Sequence, residues 1–68
     1  MINDKALKSI LIRNGYNVEW LASQMGYTTQ NLYGKLSGRI TITLDEVNRM
    51  RSILNLNDLE TKEIFFGQ

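Results

Sequence analysis

Apolar residues recur along this chain at helical rather than strand spacing. Leu7, Ile10 and Leu11 stand at i, i+3, i+4, one face of a helix. Val18, Leu21, Ala22 and Met25 extend the same period to i+7. Leu32 and Leu36 form an inward pair, and Leu44, Val47, Met50 and Leu54 a fourth stripe, all four residues expected to face the core. Polar residues that stop or start helices separate these stripes. Asn14-Gly15 and Gly26 tolerate the left-handed backbone that ends a helix. Asn17 and Thr28 stand where a side-chain oxygen caps the helix that follows. Ser37-Gly38 closes the third helix and Asn55 the fourth. Thr43-x-x-Glu46 fits a capping box, and Asn57-x-x-Glu60 is a weaker one opening a last short helix that runs through Phe66. Ile40-Thr41-Ile42-Thr43 alternates like a strand but has no partner strand, so residues 39–42 are read as a loop. The pattern predicts an all-α fold: a compact five-helix domain with short joints.

Composition narrows the chemistry. The 68 residues include no His, Cys or Pro. That length makes one small domain, taken as 1–68. Without Cys there is no disulfide or thiolate, and without His as well the usual zinc sites and imidazole catalysis are excluded. No cofactor, metal or small-molecule substrate is expected, and no enzyme activity. The longest apolar runs are three residues, Ile10–Ile12 and Ile64–Phe66, whereas a membrane span needs about 20. The expectation is therefore a soluble, cytoplasmic protein with no membrane partner. Net charge is +1 but uneven, being +3 over residues 1–39 and −2 over residues 40–68. The first half is the one suited to an anion.

The segment Val18–Gly38, VEWLASQMGYTTQNLYGKLSG, places two short helices around a tight turn at Gly26. Ala22 is small where the helices cross, Gly26 accepts a positive φ, and Leu21, Met25 and Leu32 fill the seam. This is the helix-turn-helix arrangement, whose second helix enters the DNA major groove. The chain here resembles the phage Cro/repressor (XRE-like) family of helix-turn-helix DNA-binding domains. The resemblance covers about residues 3–60, with its core at 18–38, and rests on Leu21-Ala22-x-x-Met25-Gly26-Tyr27-Thr28-Thr29-Gln30-Asn31-Leu32 and Gly38. Leu32–Gly38 together with Ile64–Gly67 looks most like small phage-encoded regulators of Gram-positive bacteria.

The resemblance implies a repressor or Cro-like regulator that binds a double-stranded operator, as a monomer or as a homodimer built from this same domain. Thr29, Gln30, Asn31 and Tyr33 are then the candidate base contacts, with Thr29 and Gln30 foremost and Tyr33 or Gly34 one turn on. Gln and Asn suit adenine and Thr a thymine methyl. Asn17, Thr28, Lys35 and Arg39 are the candidate phosphate contacts, with Arg13 a further one; two stand at helix N-termini and two follow with positive charge. The alternative is an antirepressor-like modulator that binds a partner repressor protein through the same fold.

Two residues depart from the family pattern. An aliphatic residue is usual where Lys35 stands. Either Leu36 takes that sealing task, or the Lys35 stem covers the seam with its ammonium in solvent. Gly34 lies inside the recognition helix, at a cost of about 1 kcal/mol relative to Ala. It allows close approach to DNA, or else marks a helix not tuned for DNA.

Trp20, about 200° from Val18 around its helix, falls off the buried stripe. It is expected to contact a partner or DNA, or to fold back on Tyr16. Phe65 and Phe66 are candidate partner contacts for the same reason, since Ile64, Phe65 and Phe66 cannot all face one core. Their other role is to close the domain against Leu7 and Met50. Met25 and Met50 read as core fillers. The carboxylates Asp45, Glu46, Asp58 and Glu60 stand at helix starts, where they complement the dipole.

Overall fold

A computed structural model describes residues 2–67. Within it the chain forms five helices and, among the described residues, no strand. They are α1 (Asp4–Arg13), α2 (Val18–Met25), α3 (Thr29–Leu36), α4 (Leu44–Leu54) and α5 (Asp58–Thr61). A π-helical turn, Lys62–Phe66, extends α5 directly. The expected alternation at 40–43 is not a strand, and residues 39–42 form a connection as expected.

Local chemistry sets the helix boundaries. Asn17 Oδ1 accepts from the Trp20 N–H at 2.8 Å, and Thr28 Oγ1 accepts from the Asn31 N–H at 3.0 Å. Both expected capping boxes form. Thr43 and Glu46 exchange bonds at the start of α4, and Asn57 and Glu60 do so at the start of α5. Gly26 ends α2 at φ +79°, and the next amide, Tyr27 N–H, reaches back to Ala22 O at 2.9 Å. That left-handed residue with its long backward bond reverses the chain between α2 and α3 in a few residues. Asn55 ends α4 the same way, at φ 53°.

Leu7, Leu21, Leu32, Met50 and Ile64 are fully enclosed, one from each helix except α5 and one from the π turn. Ala22, 1% exposed, lies in the same core as Leu21, Met25 and Leu32. Its small side chain suits the α2–α3 crossing. The chain ends meet where Asn3 N–H donates to Ile64 O at 2.7 Å, so the π turn closes the domain against α1.

Two core expectations are corrected. Leu44 is 65% exposed. It is the first residue of α4, and a helical side chain leans toward the N-terminus, here off the end of the helix. Phe65, at 8% exposure, belongs to the core beside Ile64, so it is no partner contact; Phe66 alone of the three faces outward, at 57%. No helix among the described residues is long and apolar enough to cross a membrane.

Candidate nucleic-acid interface

The helix α3 presents one face and is fastened by the other. Leu32 and Leu36 are buried in the core. Gln30 and Tyr33 are exposed and Thr29 is half-buried at the first turn. These three expected base contacts therefore share the outward side of α3. Asn31 does not join them. It is half-buried, and its Oδ1 is shut off from solvent with no hydrogen-bond partner among the described residues. An acceptor enclosed in that way leaves only the amide nitrogen of Asn31 for a base edge.

Of the expected phosphate contacts, Asn17, Thr28 and Arg39 are exposed. Asn17 and Thr28 spend their side-chain oxygens as caps, but each cap leaves the first amides of its helix without intrahelical partners. Those N–H groups, at Val18, Glu19, Thr29 and Gln30, are the donors an anion would meet. The Glu19 carboxylate, in the first turn of α2, opposes an anion there. The α3 start carries no acidic residue.

Lys35 is corrected. It is buried, at 9% exposure, and its ammonium lies 3.2 Å from the Glu46 carboxylate and 5.0 Å from the centre of the Tyr27 ring. Neither expectation for its ammonium holds: it is not in solvent, and it is not free for a phosphate. The stem does cover the seam, and Leu36, 4% exposed, seals beside it. Tyr27 donates its hydroxyl to the same Glu46 carboxylate. These bonds, with the Thr43 amide and Lys35, hold Glu46 down to a pKa of about 2, the Tyr27 hydroxyl contributing most. Burial first, and then Glu46, pushes the Tyr27 phenol up to about 12. Nearby, Arg49 donates to Met25 O, the last carbonyl of α2, at 3.0 Å. Thus α4 grips both the end of α2 and the back of α3, and fixes the angle between them.

Gly34 is also corrected. It is buried by the protein's own chain, not opened toward DNA. A Cβ there would lie 2.6 Å from Ile40 Cδ1 and 3.0 Å from Arg39 Nη2. The glycine leaves room for the Ile40 side chain and the Arg39 guanidinium to lie on the helix.

Trp20 folds back on Tyr16, with ring centres 3.7 Å apart and planes 4° from parallel, and packs partly against the core. Local packing thus accounts for it. The sequence reading missed Lys8 and Ile12. They stand i, i+4 on α1 and, with Asn17, Glu19, Thr29 and Tyr33, line a groove of about 390 Å³ beside α3. The Lys8 ammonium lies 5.7 Å from the Tyr33 ring centre and 3.6 Å from Asp4. Only Ile12, an apolar residue off the Leu7, Ile10 and Leu11 stripe of α1, hinted at this in the sequence.

No family model, curated protein or solved structure matches the chain.

Proposed function

We propose that the chain is a sequence-specific DNA-binding transcriptional regulator of the phage Cro/repressor type, which occupies an operator and excludes polymerase. The observation that carries this reading is the pairing of Thr29, Gln30 and Tyr33 on the outward side of a short helix whose other side is fastened by Leu32, Lys35 and Leu36. Such a helix fits a major groove about 12 Å wide. Gln30 offers an adenine N6/N7 edge two matched hydrogen bonds, and the Thr29 methyl suits a thymine methyl. The capped starts of α2 and α3 offer backbone amides to phosphates on either side.

The longest extent of the molecule is 27 Å. Successive major-groove faces lie about 34 Å apart, so two copies are needed to read a two-part operator. Leu59 and Phe66, 75% and 57% exposed near the C-terminal end, are the apolar residues on which a second copy would seat.

A second reading, an antirepressor-like modulator, is favoured by the groove beside α3. A partner protein seated against Ile12 and Tyr33 would cover Thr29 as well. A mobility shift with duplex DNA from the gene's own neighbourhood, at two salt concentrations, separates the readings. A shift that weakens steeply with salt supports DNA binding. No shift at low salt, with tight capture of a repressor protein, supports the modulator.

A further inference from the structure

One turn on from the exposed Gln30 stands Gly34, which the following residues cover and which has no side chain with which to read a base. The loop after α3 folds back to this point. Ile40 N–H donates to Gly34 O at 3.0 Å, and Ser37 Oγ–H donates to the same carbonyl at 3.1 Å. Between them stands Arg39, exposed, with its Nη2 3.0 Å from the point a residue-34 Cβ would occupy. Its guanidinium lies against the backbone of α3, where a side chain at position 34 would begin. Among the described residues it forms no ion pair.

We propose that Arg39 supplies the side chain that Gly34 lacks. Its guanidinium, laid on α3 one turn beyond Gln30, reads the O6 and N7 acceptors of a guanine in the major groove rather than a phosphate. The inference rests on the DNA-binding reading and assigns that site a second base. The planar fork of an arginine matches the two guanine acceptors, and this is the commonest specific contact to that base. Folding of the loop onto Gly34 holds the arginine near the helix before DNA arrives, which lessens the freedom lost on binding. A Cβ at position 34 would displace the ends of the Ile40 and Arg39 side chains, and so would move the guanidinium from this place.

The test is a competition of the full chain against duplexes varied one base pair at a time. The proteins compared are the unaltered chain, Gln30→Ala, Arg39→Gln and Gly34→Ala. The expected result is that Arg39→Gln loses a roughly tenfold to hundredfold preference for guanine at one base pair, close to but distinct from the one relaxed by Gln30→Ala. Gly34→Ala, checked for retained helix by circular dichroism, loses the same guanine preference while the salt slope is kept, because no charge is removed. The inference is overturned if Arg39→Gln weakens every duplex by one common factor and leaves all base preferences intact, the behaviour of a phosphate contact. In that case a position still relaxed by Gln30→Ala leaves the DNA-binding reading standing. A chain that binds no duplex overturns both.

Discussion

The Lys35 ammonium meets the Glu46 carboxylate at 3.2 Å, beneath the surface of the domain and across the joint between α3 and α4. The two partners are not equivalent. Glu46 also accepts the Tyr27 hydroxyl and both the amide and the hydroxyl of Thr43, so it is the common acceptor for four groups. Among the described residues, Lys35 serves only that carboxylate and the face of the Tyr27 ring. Removing Glu46 strands a buried cation, whereas removing the cation leaves a carboxylate that still has its other donors.

Glu46→Ala is therefore expected to cost about 2–4 kcal/mol of folding stability, through loss of the capping box and an unpaired buried ammonium. Lys35→Met keeps the apolar stem over the seam and is expected to cost about 1 kcal/mol or less. Denaturant unfolding of the two variants checks the order. A larger loss for Lys35→Met would mean that the ammonium, not the carboxylate, anchors α3.

The same cluster sets the pH range of stability. The Glu46 carboxyl falls from 4.5 to about 2 on folding, chiefly through the Tyr27 hydroxyl. The unfolded chain then binds the proton more readily, so this stability is present above about 4.5 and is lost as pH falls toward 2. The Tyr27 phenol rises from 10.0 to about 12, so its contribution is present below 10 and is lost as pH rises toward 12. Melting temperature followed across pH should show both arms. Tyr27→Phe should abolish the alkaline arm and make the acid arm shallower, since it removes the largest cause of the Glu46 shift.

Gln30 is exposed on the first turn of α3, so Gln30→Ala separates function from folding. It is expected to leave the melting temperature unchanged and to cost about 1–3 kcal/mol of affinity for the preferred duplex, with relaxed choice at one base pair. Titration of matched and single-substituted duplexes at fixed salt reads both numbers. Unchanged affinity for every duplex would remove α3 from the DNA interface.

The helix ends were legible in the sequence because a cap is a local event. Asn17, Thr28, Thr43-x-x-Glu46 and Asn57-x-x-Glu60 bond within three residues of themselves, and each stands where it was read. The side chains that changed role did so through contacts the one-dimensional pattern does not contain. Lys35 lies eleven positions from Glu46, and its i+3 spacing from Leu32 sets the stem on the seam without showing which carboxylate takes the ammonium. Gly34 leaves two readings open in the sequence, close approach to DNA or a helix not tuned for it, and spacing does not contain the Ile40 side chain that closes on it. Phe65 and Phe66 were indistinguishable as neighbours in an apolar run. The π turn that continues α5 buries one and exposes the other. The outward set of Gln30 and Tyr33 was readable because Leu32 and Leu36 fix the phase of α3.

Gly26 offers a test of the turn that joins α2 to α3. Its φ of +79° is one that a side chain tolerates poorly, yet a Cβ placed there would meet no atom within 4 Å. The cost of Gly26→Ala is therefore conformational and not steric crowding from neighbours, about 1–2 kcal/mol. Because Arg49 on Met25 O and Glu46 on Lys35 hold the two helices from α4, the strain cannot relax by reopening the α2–α3 angle without breaking those bonds. The variant should fold with unchanged helix content, melt at a lower temperature, and keep the duplex preference of the parent at temperatures where it is folded. A variant that remains as stable as the parent but loses the preference would show that the turn adjusts the angle freely, and that α4 does not fix it.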